Sequence, residues 1–224
     1  GYHLVMSTKE HPEFVWATFE HKSNNPDCLG PAAAPATSWS FTSPGCATCL
    51  ASSQTGPLGC ATECKDINQA KTQTSTTGAP TEICRVYHDG TREGDNQWQT
   101  NLANIDDLNA QLVGPEGIIT RLPADDPMSV WKNYMLVGGL WENDVTMPSS
   151  DKGNQRGSIQ LTNTTMETDY QGEFEASTEP PGFTRTPAEL NCFSCHNYAP
   201  GETTTEGASL SHSFALIHSN PQNP

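Results

Sequence analysis

Two stretches near the start of the chain alternate between hydrophobic and polar positions. Residues 1–8, GYHLVMST, are rich in strand-forming residues, and residues 13–21, EFVWATFEH, place Trp16 and Thr18 on the side opposite Ala17. A period of two residues is the period of a β-strand, whose side chains point to alternate faces of a sheet. The pattern therefore predicts two strands that lie next to each other.

The middle of the chain contains a predicted helix and a predicted buried strand. Residues 104–114, NIDDLNAQLVG, repeat hydrophobic positions at helical spacing, with Asn104 suited to cap the helix and Gly114 suited to end it. Residues 129–141, SVWKNYMLVGGLW, form the most hydrophobic segment and predict a buried strand. The glycine pair at 138–139 allows a bend or a bulge in this strand.

Residues 23–84 have a different composition from the rest of the chain. Pro, Gly, Ser, Thr and Ala dominate there, large hydrophobic residues are scarce, and six of the eight cysteines fall within this range. A structureless stretch of this length is uncommon in a compact domain, whereas disulfides can hold a loop-rich lobe without a large core. We interpret residues 23–84 as a cysteine-rich loop insertion on one domain that spans residues 1–224. Strand-like composition resumes at residues 83–89, ICRVYHD.

The six cysteines of this insertion have two possible uses. The spacing of four of them also fits a zinc or iron–sulfur site. Three disulfides are the favoured interpretation, because a loop-rich lobe needs cross-links and an even number of cysteines fits an oxidising compartment. The sequence does not choose among the possible pairings. The six are Cys28, Cys46, Cys49, Cys60, Cys64 and Cys84. The fold class predicted from these features is α+β, mainly β, with short helices and long disulfide-stapled loops.

The charge of the chain narrows the range of partners. There are 26 acidic and 11 basic residues, which gives a net charge of −15. This balance argues against nucleic-acid binding, which needs clustered lysine and arginine. No apolar run approaches the length of about 18 residues that a membrane span needs, so no span is expected. The negative charge would suit a redox partner protein with a basic docking face. The sequence does not indicate the oligomeric state.

A motif near the C-terminal end carries the most specific chemistry. Cys192, Cys195 and His196 form the pattern Cys-x-x-Cys-His, which is typical of covalent haem c attachment. Each thiol adds to one vinyl group of the haem, and the following histidine is placed to bind the iron. The sequence predicts one covalent haem c near the C-terminus. Phe193 and Tyr198 adjoin the attachment site and are expected to line the haem.

The ligand on the other face of the iron decides between classes of haem protein. Met166 lies in a polar segment, where a core methionine is less expected, and His212 follows the haem motif closely in sequence. The predicted iron ligands are thus His196 together with Met166 or His212, while another residue or an open position remain alternatives. A second strong ligand would give a six-coordinate electron carrier, and an open position would allow ligand binding or oxygen chemistry.

Several segments together resemble a poorly characterised family of exported bacterial monohaem c-type cytochromes. The likeness covers residues 1–25 and most of residues 129–215, and it covers the cysteine-rich insertion only weakly. It implies a periplasmic or extracellular location, one covalent haem, and the roles given above for Cys192, Cys195 and His196. It implies no substrate. The segments that carry the resemblance are HPEFVWATFEH, SVWKNYMLVGGLW, TNTTMETDYQ, NCFSCHNY and LSHSF.

The sequence therefore favours an exported monohaem c-type cytochrome that carries electrons. One alternative is a haem enzyme or gas-binding protein with an open distal site that accepts peroxide or a small nitrogen species. Another is a structural or assembly subunit of an extracellular redox complex. Whether the protein is an enzyme stays undecided at this level.

Overall fold

The computed structural model combines a small antiparallel sheet with helices and disulfide-linked loops. The sheet has four strands in the order β1-β2-β3-β4. The strands are β1 Tyr2–Met6, β2 Val15–His21, β3 Tyr134–Glu142 and β4 Gln155–Gly157. The helices within the described residues are α1 Pro44–Ser52, α2 Trp98–Val113 and α3 Cys192–Cys195, and short 3₁₀ segments cover Gly56–Cys60 and Pro127–Asn133. The structure describes residues 1–11, 14–28, 39–53, 55–64, 67–68, 82–86, 90, 97–148, 151, 153–168 and 191–196.

The α+β class predicted from the sequence is confirmed, but not its emphasis on β-structure. In the described part of the chain, helix and strand contribute similar lengths. The difference arises chiefly from α2, which is longer than its hydrophobic pattern indicates. None of the helices described is long and apolar enough to cross a membrane.

The two strands predicted at the start of the chain are neighbours, as expected. β1 pairs antiparallel with β2 from Tyr2 opposite Phe19 to Met6 opposite Val15. Along β2 every second residue is buried, and these residues include Trp16 and Thr18. One face of β2 therefore points into the protein, as its period of two dictates.

The buried strand predicted over residues 129–141 begins five residues later than expected. Its first residues belong to the 3₁₀ segment, because the Asp126 side chain accepts a hydrogen bond from the Met128 N–H and proline occupies the first turn. The predicted bulge is present one residue before the glycine pair. Thr18 pairs with Gly138 while Phe19 pairs with Leu136, so β3 contributes one extra residue.

The helix predicted from Asn104 to Gly114 has the expected end but the wrong start. α2 begins at Trp98, and Asn104 lies exposed within the helix instead of capping it. Gly114 donates its N–H to the carbonyls of Asn109 and Ala110 and ends the helix as predicted. The first turns lack a hydrophobic stripe because Asn101 faces inward, where its side-chain amide donates to Ser158 Oγ at 3.1 Å.

An asparagine side chain attaches α2 to the sheet. Asn109 Nδ2 donates to the carbonyl of Leu136 at 2.9 Å, and the Leu136 N–H donates to Asn109 Oδ1 at 2.7 Å. These two bonds take the place of the backbone hydrogen bonds that a further strand would make to Leu136 of β3. The helix is therefore fixed against the sheet by polar contacts as well as by burial of Ile105.

One further expectation about strands is corrected by the structure, and one strand is present that was not expected. Of the strand-like segment at residues 83–89, residues 87–89 lie outside the described part of the chain. Residues 82–86 do not form a strand: they make isolated bridges, with Asp27 opposite Arg85 and Thr42 opposite Glu82. β4 was not predicted, because a strand of three polar and glycine residues carries no readable alternation.

The six cysteines of the insertion pair as three disulfides, which confirms the favoured interpretation and corrects the zinc or iron–sulfur alternative. The pairs are Cys28–Cys84, Cys46–Cys64 and Cys49–Cys60. Five of the six side chains are buried, and together with Leu50, Ile67 and Val86 they form a core cluster separate from the one beneath the sheet. We call residues 39–53, 55–64, 67–68 and 82–86, with Cys28, the cysteine-rich lobe. Disulfides supply the cross-links that its small core needs.

One glycine in β4 is required by its backbone conformation. Gly157 has φ +86°, and a Cβ there would lie 2.5 Å from Cζ3 of Trp141 and closer still to the Gly139 carbonyl. We expect Gly157→Ala to lower the free energy of unfolding by about 2–4 kcal/mol, because strain and a steric clash act together. Urea denaturation followed by tryptophan fluorescence measures the change.

A second glycine provides the matched control. Gly45 lies in α1, and a Cβ added to it would meet no atom within 4 Å, so Gly45→Ala should stabilise the protein by about 0.5–1 kcal/mol. Equal effects of the two substitutions would contradict the account of Gly157.

Candidate functional site

The Cys-x-x-Cys-His motif forms a single helical turn. α3 spans Cys192–Cys195, and the His196 N–H donates to the carbonyl of Cys192 at 2.8 Å. Residues four apart in a helical turn lie on the same face. The turn therefore places Cys192 and His196 on the same face of the helix. A prosthetic group bonded to both residues would need this arrangement.

The residue before the motif anchors this turn to the sheet. Asn191 Oδ1 accepts the Phe193 N–H at 3.0 Å, which caps the turn. Its Nδ2 donates to Gln155 Oε1 at 2.8 Å and to the carbonyl of Ile159 at 2.9 Å. One buried asparagine thus ties the motif to β4 and to the loop that follows it.

Phe193 fixes the turn from the other side. It is 2 % exposed and packs in the core cluster beneath the sheet, with its ring centroid 6.5 Å from that of Trp16 in an edge-to-face arrangement. Cys192 is half-buried against the same cluster. The remaining members of the cluster are Val137, Leu140 and Leu161, with Phe14 packed beside them. Phe193, expected from the sequence to line a haem, thus serves in the structure as a core anchor of the motif.

The imidazole of His196 lies against the indole of Trp16. Their centroids are 4.5 Å apart and their planes are inclined by 35°. Trp16 is 6 % exposed, and its Nε1–H has no hydrogen-bond acceptor among the described residues. A buried donor without an acceptor is uncommon and calls for a physical explanation.

A hydrogen-bonded chain of polar residues lies next to this histidine. His3 Nδ1 shares a hydrogen bond of 2.8 Å with Thr18 Oγ1, and His3 Nε2 pairs with Glu167 Oε1 at 3.2 Å. The second carboxylate oxygen, Glu167 Oε2, accepts the Asn163 N–H at 2.7 Å. Trp16 and Thr18 are consecutive inward residues of β2, so the rings of His196 and His3 lie over the same buried strip of that strand.

The surroundings of Glu167 keep its carboxylate ionised. Burial alone would raise its pKa, but the hydrogen bonds from His3 and from the Asn163 backbone, with the charges of His3 and His196, hold the pKa below its usual range. The electrostatic interaction with His196 connects this polar chain to the motif.

Neither His3 nor Glu167 is among the site residues predicted from the sequence. The available signal was the register of two predicted neighbouring strands, which can bring a residue of residues 1–8 opposite Thr18. Nothing in the sequence shows that residues 163–167 return to this strip, because their placement depends on tertiary contacts.

The other predicted site residues have separate positions. Met166 is 57 % exposed in a turn where its N–H donates to Asn163 Oδ1 at 3.2 Å. It borders an open groove of about 490 Å³ that His21 and Tyr134 also line. Its role as an iron ligand stays a prediction. Tyr198 and His212, and the side chain of Cys195, lie outside the described part of the chain.

Covalent haem attachment at this motif would use two residues that the structure describes, Cys192 and His196. Cys192 and His196 share one face of a turn, and a haem carboxylate is the kind of acceptor that the buried Trp16 N–H lacks. Over the part of the chain that the structure describes, no group of three or more His, Cys, Asp or Glu residues is arranged to hold a bare metal ion. At the motif the described side chains offer the Cys192 thiol and the His196 imidazole, which lies beside the Trp16 indole.

Comparisons with protein-family models, with curated proteins and with solved structures found no match to this chain. The likeness to exported monohaem cytochromes rests on the sequence segments alone.

Proposed function

We propose that this protein is an exported c-type cytochrome that carries electrons through one haem, attached at Cys192 and Cys195 and bound by His196. The observation that carries the proposal is the helical turn of the motif, in which the His196 N–H donates to the Cys192 carbonyl at 2.8 Å. A haem bound there would supply a one-electron Fe(II)/Fe(III) couple.

The protein's own residues would hold such a group rigidly. Phe193 and Asn191 fix the turn against the core and the sheet. Trp16 covers one side of the His196 imidazole, limiting both its rotation and the access of water. Rigid placement of the proximal ligand favours electron transfer, because little has to move when the charge on the iron changes.

Two further features support export and an electron-transfer role. Three disulfides are typical of proteins that fold in an oxidising compartment, where covalent haem attachment in bacteria also takes place. The net charge of −15 would attract a partner protein with a basic docking face and speed their encounter.

Production of the protein in a bacterial host that attaches haem c in the periplasm tests the proposal. We expect the purified protein to keep haem on a denaturing gel, and the variant with both Cys192→Ala and Cys195→Ala to lose it. His11→Ala, a change outside the motif, should keep the haem and serves as the control. Failure of the native protein to hold haem covalently would refute the proposal.

Optical spectra of the reduced protein distinguish the carrier from an open-site haem protein. We expect a low-spin spectrum that carbon monoxide does not change, because a carrier needs two stable axial ligands. A shift on adding carbon monoxide would instead favour a gas-binding or peroxide-reacting protein. Loss of the low-spin spectrum in Met166→Leu, and its retention in Met128→Leu, would identify Met166 as the second ligand.

A further inference from the structure

Glu167 has a position relative to the haem motif that the proposed function does not use. Its carboxylate pairs with His3, whose ring bonds to Thr18. The His196 ring lies over Trp16, the preceding inward residue of the same strand. Same-face neighbours in a strand are about 7 Å apart. The carboxylate, through its partner His3, and the His196 imidazole therefore belong to adjacent inward positions of one strand.

The carboxylate is held in place by more than one contact. His3 Nε2 lies 3.2 Å from Oε1, and the Asn163 N–H donates to Oε2 at 2.7 Å. Only 36 % of the Glu167 side chain is exposed. Two fixed oxygens and partial burial mean that the negative charge stays in a defined place and is only partly screened by solvent.

We propose that the fixed negative charge of the Glu167 carboxylate stabilises the ferric state of a haem bound through His196 and lowers its reduction potential. The inference rests on the proposed function, since it needs a haem ligated by His196. Its physical basis is general: a nearby negative charge that is only partly screened by solvent favours the more positive oxidation state of a metal.

The proposal is tested on the haem-containing protein by spectroelectrochemical titration of the native chain and three variants. Glu167→Gln keeps the size of the side chain and removes its charge, whereas Glu167→Asp keeps the charge and moves it away by one methylene. Asp125→Asn removes one negative charge from an exposed loop residue and is the matched control. Thermal unfolding of each variant reports whether the fold is kept.

We expect Glu167→Gln to shift the ratio of ferrous to ferric protein at a fixed potential by roughly tenfold toward the ferrous form, which corresponds to about 59 mV for a one-electron couple. Glu167→Asp should give a smaller shift in the same direction, and it carries the test alone if Glu167→Gln does not fold. Asp125→Asn should leave the ratio nearly unchanged. A purely structural role for Glu167 would change the melting temperature without this ordering of potentials.

Two failures of this experiment have different meanings. If the native protein holds no covalent haem, the proposed function fails and the inference fails with it. If haem is attached but the Glu167 variants titrate like Asp125→Asn, the inference alone is overturned and the cytochrome function stands.

Discussion

Replacing Arg85 with methionine is expected to lower the free energy of unfolding by about 3–5 kcal/mol, because it leaves one buried and one partly buried carboxylate without their counter-ion. Arg85 is 4 % exposed and bonds through Nε and Nη2 to Oε2 of Glu20, which is 0 % exposed. Its Nη1 bonds to Asp27 Oδ1. Urea denaturation followed by tryptophan fluorescence would measure the loss.

The arginine stays charged under all ordinary conditions. Burial alone would lower the pKa of Arg85, but the charges of Glu20 and Asp27 and their hydrogen bonds raise it above its usual range. Methionine has a similar length and keeps the apolar packing of the side chain. The expected loss therefore reports the unpaired charges more than a cavity.

An exposed arginine serves as the control for this substitution. Arg121→Met changes the same chemical group at an exposed position and should alter stability by no more than about 0.5 kcal/mol. Adding Glu20→Gln to Arg85→Met should cost less than the sum of the two single changes, because the double variant leaves one buried charge fewer without a partner. Equal stability of Arg85→Met and Arg121→Met would contradict the importance of the buried network.

The network matters because it joins three parts of the molecule. Arg85 belongs to the cysteine-rich lobe, Glu20 lies on β2, and the Thr164 N–H donates to the other oxygen of Glu20. Thr164 begins the turn that carries Glu167 to its place beside His196. Contacts through Glu20 therefore connect Arg85 to the segment that carries Glu167.

The extent to which sequence predicted the fold can be judged element by element. β2 was predictable because every second residue is buried, which imposes a period of two on the sequence. β1 has no buried residue and was predictable from its strand-forming composition. The end of α2 at Gly114 was predictable from local chemistry. Its start was not, because Asn101 faces inward to bond Ser158, and a polar residue on the buried face hides the helical stripe. β4 escaped detection because its pairing with β3 comes from tertiary contacts.

In the candidate site, too, some residues could be proposed from local sequence and others could not. Cys192, Cys195 and His196 could be proposed from the sequence because the chemistry of haem c attachment would fix their spacing within five consecutive residues. The residues around His196 come from distant parts of the chain: Trp16, which contacts its ring, lies on β2, and Glu167, which interacts with it electrostatically, follows β4. No local pattern brings these together. The disulfide pairing was unreadable for the same reason, since spacing alone does not specify which cysteines meet.

Removing the disulfide between Cys28 and Cys84 is expected to lower the free energy of unfolding by about 4 kcal/mol. The bond closes a loop with a sequence separation of 56 residues, and the entropy it removes from the unfolded chain grows with loop length. Both sulfurs are also buried, with side chains 1 % and 0 % exposed. Thermal and urea unfolding of the double variant Cys28→Ala with Cys84→Ala would measure the loss.

The disulfide between Cys49 and Cys60 gives the internal comparison. It closes a loop of only 11 residues, so its removal should cost about 3 kcal/mol on the same physical basis. Cys49 is also only partly buried. If loss of the shorter link destabilises the protein as much as loss of the longer one, loop entropy is not the main contribution.

The long disulfide and the Arg85 network should also prove non-additive. The Cys28 N–H donates to the Arg85 carbonyl at 2.7 Å, and the Arg85 N–H donates to the Pro26 carbonyl at 2.8 Å. The covalent bond and the ion pairs therefore hold together the same two chain segments. Once the disulfide is absent these segments separate more readily, so adding Arg85→Met should cost less than it does in the native chain. If the two losses of stability were strictly additive, the disulfide and the Arg85 ion pairs would instead act on independent parts of the lobe.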